Sequence, residues 1–209
     1  MKEKLKNIAT VQVGYSFRSR LEASYSGDVA VIQMKDLLQD NTVNCGGLMK
    51  IDMEAVKVHH LVQKGDLVFR SRGQVTTASV ILEDPGKAVV AAPLLRIRVT
   101  RPEKVLPEYL NWYISQRDAQ AFFTSKADGT VQKMISKLTI EDLEVVLPSL
   151  EQQKNIVELA SLSSREQKIL KTLAEKRQQY IEIILMQIAK GWPEASFLLA
   201  HATRGIEHG

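Results

Sequence analysis

Residues 146–156 read VLPSLEQQKNI, and the character of the whole sequence changes within them. Pro148 prevents a helix from extending backward, and Ser149 followed three positions later by Gln152 is a capping-box signature that starts one. Residues 149–190 contain neither proline nor glycine. The stretch therefore predicts one continuous helix over 149–190, directly after a segment with a different pattern.

The predicted helix is amphipathic and too long to lie on the segment before it. At about 1.5 Å per residue it would reach about 60 Å. Its apolar residues recur at threes and fours, although Glu166, Lys176 and Gln187 interrupt the seam. We expect these residues to pair with a partner helix: Ile156, Leu159, Leu162, Ile169, Leu173, Tyr180, Ile184 and Ile188. Residues 191–209 lack sustained periodicity and are expected to form a weakly ordered tail of no assigned role.

The sequence before Pro148 has short β-branched runs of alternating polarity, separated by turn residues at intervals of about ten. Strands are predicted at 8–13, 29–34, 66–70, 78–83, 88–91 and 94–99. Helical segments are predicted at 53–58, 107–124 and 139–143. Because strands and helices do not alternate regularly, residues 1–148 are predicted to form an α+β domain on a mixed, mostly antiparallel sheet rather than a doubly wound fold.

The composition favours a folded protein of the cytoplasm. The chain has 209 residues, of which 44% are hydrophobic and 25% charged, enough for one core plus an appendage. Uncharged apolar stretches such as 183–189 are far shorter than the roughly 20 residues that cross a bilayer. The charged N-terminus lacks the apolar core of a secretory signal. The single cysteine, Cys45, can form no internal disulfide and makes no metal-ligand set with the histidines.

Motifs for catalysis are missing from the sequence. A DNA methyltransferase would need a glycine-rich cofactor loop and a motif that holds a flipped base. ATP-driven translocation would need a phosphate-binding glycine loop, and a magnesium nuclease would need clustered carboxylates with a lysine. Asp66, Glu83 and Lys87 are the nearest approach to the nuclease pattern, but the last two do not alternate on one strand. We therefore expect no catalytic site, no cofactor and no metal.

The basic residues are concentrated locally rather than spread evenly. The net charge of +4 is compatible with a polyanionic partner but is not specific to one. Arg96 and Arg98 alternate with Leu95 and Ile97, so they are expected on the solvated face of a strand. His59-His60 is expected to be a packed or solvated pair. Residues 64–98 hold six basic side chains against three acidic ones: Lys64, Arg70, Arg72, Lys87, Arg96 and Arg98 against Asp66, Glu83 and Asp84.

Four segments of the sequence match, in order and spacing, the motifs of one known protein family. Residues 65–73, GDLVFRSRG, are similar to the strand-turn motif of that family. Residues 105–115, VLPEYLNWYIS, resemble its helix motif, and 129–138, GTVQKMISKL, the segment that follows. Residues 146–156 resemble its junction into a conserved helix. Together with the N-terminal strand leading to a glycine, these segments resemble the specificity (S) subunits of Type I restriction-modification systems over about residues 4–190.

The resemblance implies a non-catalytic subunit that reads double-stranded DNA. Separate methyltransferase (M) subunits would supply adenine methylation, and through them a restriction (R) subunit would supply ATP-dependent cleavage. Residues 1–148 would be a target-recognition domain, 149–190 a spacer and dimerisation helix, and 191–209 a C-terminal tail.

The chain departs from the family in holding one domain and one helix, where family members join two of each with the helices antiparallel. A homodimer through an antiparallel coiled coil would restore that arrangement and give a bipartite target of symmetric half-sites. A truncated product, or pairing with a different half-subunit, remains open.

Candidate base-reading residues follow from the chemistry of the major groove. Arginine or lysine can fork onto guanine, and asparagine or glutamine onto adenine, when held at loop tips. The residues predicted to contact DNA are Arg18 and Arg20 in one loop, Arg70, Arg72, Gln74, Thr76 and Thr77 in a second, and Gln132 and Lys133 in a third. Two other interpretations stay open: a coiled-coil adaptor that binds proteins without specific DNA readout, and a nuclease with an unrecognised site.

Overall fold

The structure is a computed structural model that describes residues 1–18, 20–24, 26–53, 55–73, 76–126 and 134–191. It divides into two compact units, residues 1–160 and 161–209. The strands are β1 (Lys2–Lys4), β2 (Ala9–Val13), β3 (Val29–Ile32), β4 (Met49–Ile51), β5 (Leu67–Phe69), β6 (Ala78–Val80), β7 (Ala88–Val90), β8 (Leu95–Val99) and β9 (Glu144–Val146). The helices are α1 (Pro107–Ile114), α2 (Arg117–Lys126), α3 (Lys137–Glu141) and α4 (Leu150–Ala189).

The described residues of the first unit form three sheets. The largest has the strand order β2-β8-β5-β6, and every pairing in it is antiparallel. A second sheet, β4-β3-β7, pairs β3 antiparallel with β4 and parallel with β7. The short strands β1 and β9 pair with each other, which places the N-terminus beside the residues that lead into α4. The predicted α+β class with a mostly antiparallel sheet is confirmed.

The largest sheet is covered by a hydrophobic core on each face, because its side chains alternate between the two. Leu67 and Phe69 point into the core shared with the helices, where the rings of Phe69 and Phe123 lie 5.3 Å apart between centroids. Val68, between them, packs with Ile32 and Val90 from the second sheet. Each of these fully buried side chains stabilises the fold by about 1.5–3 kcal/mol relative to exposure.

The predicted strands are all present, each shorter than its sequence pattern suggested. The three strands that the pattern missed, β1, β4 and β9, have three residues each and pair at sheet edges. The segment predicted as one helix, 107–124, forms two helices. The first, α1, ends at Ile114, and the second, α2, begins at Arg117. The helix α3 starts at Lys137, two residues before the predicted start at 139. Ser136 caps this start, because its hydroxyl accepts the Thr139 N–H at 3.1 Å.

The predicted helix 53–58 is wrong. Its described residues before Val58 are not helical, and Glu54 lies outside the described residues. A short 3₁₀ turn, Val58–His60, stands in its place. Met53 and Val56 pack against the core beside β3 and β4, which holds this segment in an irregular conformation.

Arg96 and Arg98 do not lie on a solvated face, and that prediction is also wrong. They do alternate with Leu95 and Ile97, but the segment after the 3₁₀ turn covers their side of the sheet. Arg96 is only 7% exposed and donates to the carbonyl oxygens of His59 and Leu61, both at 2.9 Å. The alternation along β8 therefore correctly predicted that Arg96 and Arg98 lie on the same face of the sheet. It could not reveal that another segment of the protein covers that face.

Arg98 forms a two-pronged ion pair with the buried Asp66. Arg98 Nε lies 2.6 Å from one carboxylate oxygen of Asp66, and Arg98 Nη2 lies 2.6 Å from the other. This hydrogen bonding raises the pKa of the Arg98 guanidinium, so this arginine stays charged at any physiological pH. Asp66 is the carboxylate of the nuclease-like trio considered above, and here it serves to join β5 to β8.

The start of α4 is fastened to the first unit by Gln153. This side chain is fully buried, and its Oε1 accepts the Leu106 N–H at 2.9 Å. Its Nε2 donates to the carbonyl oxygens of Lys104 at 2.8 Å and Pro148 at 3.0 Å. The predicted capping box is present as well, with the Gln152 N–H bonded to the Ser149 hydroxyl at 3.2 Å.

The described part of the second unit, residues 161–191, is helical as far as Ala189. Most of the apolar residues predicted for its pairing seam are solvent-exposed in the single chain: Leu162, Ile169, Leu173 and Tyr180. Ile184 differs, since it is only 1% exposed. Among the described helices, none combines the length and apolar character of a membrane span.

Replacing Gln153 by leucine should destabilise the first unit. The change keeps the side chain's approximate volume but leaves one buried N–H and two carbonyl oxygens without their partner, at about 1–3 kcal/mol for each unpaired group. We expect the free energy of unfolding, measured by chemical denaturation, to fall by about 3 kcal/mol. Lys154→Leu, one residue away at an exposed position, is the control and should change it little. Equal stabilities for the two variants would contradict the role of Gln153.

Candidate nucleic-acid interface

The strand register brings several loops to one end of the largest sheet. Val13 at the end of β2 lies opposite Leu95 at the start of β8. Leu95 lies opposite Phe69 at the end of β5, which in turn lies opposite Ala78 at the start of β6. The residues that follow β2 and β5, and those that precede β6 and β8, must therefore meet. We call the described residues of 14–24, 70–77 and 91–94 the loop end.

Gly14 fixes the point at which the first of these loops leaves the sheet. A Cβ on Gly14 would lie 2.7 Å from the Leu94 carbonyl oxygen and 2.8 Å from that of Val90, so only glycine fits without a shift of backbone. The next residue, Tyr15, donates its N–H to Val90 at 2.6 Å and accepts that of Ala92 at 2.9 Å. The loop that carries Arg18 and Arg20 therefore starts from a rigid position.

Arg18 and Arg20 are exposed and line an open groove. The groove has a volume of about 1380 Å³, and its opposite side is formed by residues that follow β4. Its lining is mixed in charge, because Glu22 and Asp52 contribute carboxylates. Such a surface can bind an anion through the two guanidinium groups while the acids exclude phosphates from other parts of it.

Arg70 and Arg72 lie on the loop that follows β5. Ser71, between them, donates its hydroxyl to the Pro93 carbonyl oxygen at 2.5 Å, which joins this loop to the turn before β8. Arg70 is half-buried, and its Nε is buried with no hydrogen-bond partner among the described residues. Arg72 is exposed, with its Nε 3.3 Å from the sulfur of Met134. Both arginines therefore belong to the loop end together with Arg18 and Arg20.

The remaining predicted DNA contacts have different surroundings. Thr76 is only 9% exposed, and its hydroxyl bonds to Gln120 of α2 at 3.0 Å, so this hydroxyl is already used in packing β6 on the helices. Thr77 is half-buried, and its carbonyl oxygen accepts the Arg70 N–H at 2.8 Å. Three further predicted residues, Gln74, Gln132 and Lys133, lie outside the described residues.

A row of four rings that sequence reasoning missed begins at the same groove, which Tyr15 and Phe17 line. The centroids of Phe17 and Tyr15 are 4.8 Å apart, those of Tyr15 and His60 5.2 Å, and those of His60 and His59 4.2 Å. We call these four residues the ring row. Residues 15 and 60 are too distant in sequence for any local pattern to join them. The only available signal was the pair of aromatic residues directly after Gly14.

Comparison with known proteins finds a family whose model matches most of the chain. The family model described as "Type I restriction modification DNA specificity domain" matches residues 1–178. A search of the curated proteins finds no significant match.

Several solved structures share the fold. One, described by the complex assembly and conformational transition of the type I R-M system, aligns with a TM-score of 0.71 at 16% identity, over 93% of this chain and 45% of that one. The HsdS subunit from Thermoanaerobacter tengcongensis aligns with a TM-score of 0.64 at 16% identity, over 91% and 48%. The S subunit from M. genitalium aligns with a TM-score of 0.55 at 12% identity, over 96% and 48%.

The chain thus spans about half the length of the solved structures that it matches. At identities this low, the structural alignments show a shared fold and no more. The family match extends through the first unit and most of α4. On that match, the chain belongs to the Type I restriction modification DNA specificity domain family.

Proposed function

We propose that this chain is the sequence-specific DNA recognition subunit of a Type I restriction-modification complex and that it contacts double-stranded DNA with the loop end. The observation that carries the proposal is the register of the largest sheet. Because of this register, the loop that carries Arg18 and Arg20 and the loop that carries Arg70 and Arg72 leave the same end of the largest sheet, although the two pairs are far apart in sequence. Family membership independently supports DNA as the ligand.

The chemistry of the four arginines suits the reading of bases. A guanidinium group can donate two parallel hydrogen bonds to guanine O6 and N7 in the major groove, or can neutralise a phosphate. Arg18, Arg20 and Arg72 are exposed, so they can reach a duplex without rearrangement of the core. The carboxylates of Glu22 and Asp52 would repel phosphates, which restricts how the duplex can lie across the groove.

The proposed role is non-catalytic. M subunits would methylate the target that this chain selects, and an R subunit recruited through them would cleave DNA, all in the cytoplasm. The family description, a DNA specificity domain of restriction-modification systems, supports this division of labour. So does the use of Asp66 as a partner of Arg98, which leaves that carboxylate unable to serve a metal.

We further propose that two copies pair through α4 as an antiparallel coiled coil. Leu159 and Leu173 are 70% and 62% exposed in the single chain, and covering such side chains is worth about 1.5–3 kcal/mol each. The seam would run from Leu159 to Tyr180, because Ile156 packs against the core of the first unit and Ile184 is already covered. Two recognition domains related by a twofold axis would select a bipartite, palindromic target.

The loop-end arginines should be required for specific binding. A random pool of duplexes, selected on the purified full-length chain, would supply the preferred sequence. We expect Arg20→Ala and Arg72→Ala each to weaken binding to that duplex by about 1–3 kcal/mol if the residue reads a base. If the residue contacts a phosphate, preferred and scrambled duplexes should lose affinity alike, and the salt dependence of binding should decrease.

Arg101→Ala is the matched control for this experiment. Arg101 is an exposed arginine that follows β8, at the opposite end of the same sheet, and its partner is the exposed Glu103. Its replacement should leave the affinity unchanged. Equal losses in all three variants would place DNA elsewhere on the domain. A native chain without salt-dependent affinity for any duplex would instead favour a protein-binding adaptor.

The pairing of two chains is tested by placing a charge in the seam. We expect the native chain to sediment as a dimer at micromolar concentrations and Leu173→Asp to raise the dimer dissociation constant by at least about tenfold, because the seam would bury an unpaired carboxylate. Gln178→Asp introduces the same charge at an exposed position off the seam and should remain dimeric. A native chain that sediments as a monomer would contradict the homodimer.

A further inference from the structure

The ring row is held by a hydrogen-bond chain that begins at a buried arginine. Arg96 on β8 lies directly opposite Gln12 on β2, and its Nη2 donates to Gln12 Oε1 at 2.8 Å. Gln12 Nε2 in turn lies 3.1 Å from His60 Nδ1. These hydrogen bonds therefore lead from the interior of the sheet to the half-buried ring of His60 at its surface.

The hydrogen bonds from Arg96 through Gln12 to His60 determine which nitrogen of His60 carries a proton. An arginine can only donate, so the side-chain atom of Gln12 that faces Arg96 must be its oxygen. The atom of Gln12 that faces His60 is then its NH₂ group, which also donates. His60 Nδ1 must accept, and so it holds no proton. The remaining proton of a neutral imidazole is consequently on Nε2.

The surroundings of His60 favour the neutral ring as well. Burial lowers the pKa of His60, and electrostatic interaction with His59, Lys57 and Arg96 lowers it further. The remaining neighbour in the row, Tyr15, meets the His60 ring edge to face. Because the pKa lies below the ordinary 6.5, His60 is uncharged at pH 7 and stays so as the pH rises.

The free side of the ring is available to a ligand. Within the described part of the chain Nε2 makes no hydrogen bond, and it is not one of the buried unpaired atoms. His60 contacts Tyr15, which with Phe17 lines the groove that also holds Arg18 and Arg20. A neutral N–H donor therefore lies next to Tyr15, one of the residues that line the groove of Arg18 and Arg20.

We propose that His60 is a DNA-contacting residue whose Nε2–H donates to an acceptor atom of the nucleic acid, and that Arg96 and Gln12 fix the tautomer that makes this possible. The proposal rests on the proposed function, since it adds a residue to the same DNA-binding surface. The acceptor is a base edge, such as guanine N7 or O6, or a phosphate oxygen. A neutral donor attracts phosphates less than an imidazolium would, so it adds discrimination rather than general affinity.

The tautomer can be measured in the native chain without any variant. In ¹⁵N NMR spectra of the histidine side chains at pH 7, we expect His60 Nε2 to appear protonated and Nδ1 unprotonated. Adding the duplex chosen by selection from a random pool should shift the Nε2 resonance. A His60 ring protonated on Nδ1, or an Nε2 resonance that the bound duplex leaves unchanged, would overturn the proposal.

The variant His60→Phe distinguishes a base acceptor from a phosphate acceptor. It keeps an aromatic ring in the ring row but removes the Nε2–H donor. A loss of about 3- to 10-fold in affinity for the selected duplex alone indicates a base acceptor. The same loss on a scrambled duplex indicates a phosphate oxygen. No loss on either duplex, with specific binding by the native chain intact, overturns this proposal and leaves the proposed function standing. Absence of duplex binding by the native chain refutes the proposed function instead.

Gln12→Glu tests the role of the hydrogen-bond chain. A carboxylate at this position still accepts from Arg96 but also accepts from a protonated Nδ1, so it raises the pKa of His60 and favours the imidazolium. We expect affinity for the scrambled duplex to increase as the pH falls from 8 to 6 in this variant, with little change in the native chain over the same range. Identical pH profiles for the two proteins would contradict the role given to Gln12.

Discussion

The rest of the structure depends on the antiparallel register of the strands β2, β8, β5 and β6. Because Val13, Leu95, Phe69 and Ala78 lie side by side across the sheet, four chain segments begin or end at one place. The alternation of side chains along those strands then supplies one core to the helices and another to the second sheet. A shift of one residue would exchange the two faces, so packing fixes the register and the register fixes the loop end.

Arg96 and Arg98 connect the largest sheet to the surface segment that follows the 3₁₀ turn. Arg96 and Arg98 both donate to the carbonyl oxygen of Leu61, which holds the segment after the 3₁₀ turn against the sheet. Burying a guanidinium group is costly unless it is paired, and Asp66 together with the backbone carbonyls supplies the partners. The same network orients Gln12 and, through it, His60. A buried polar network thus serves both the stability of the domain and the geometry of its candidate binding surface.

Much of this fold could be predicted from the sequence, for reasons that are local. Alternating polarity indicated the longer strands, and the Ser149–Gln152 capping box indicated where α4 starts. The strands β1, β4 and β9 were missed because each has only three residues and includes a charged side chain. The equally short β5, β6 and β7 contain no charged residue and are fully buried, so their apolar runs could be detected. At the site, the exposed arginines followed from loop chemistry. The burial of Arg96 and the contact of Tyr15 with His60 depend on residues far apart in sequence, so no local pattern could reveal them.

The most direct test of the central claim is hydrogen exchange of the full-length chain with and without the duplex chosen from a random pool. If the loop end binds DNA, exchange should slow at the backbone amides of residues 14–24, 70–73 and 91–94. Residues 100–104, which follow β8 at the opposite end of the sheet, should exchange at the same rate in both samples. Protection of residues 100–104 with an unchanged loop end would contradict the account.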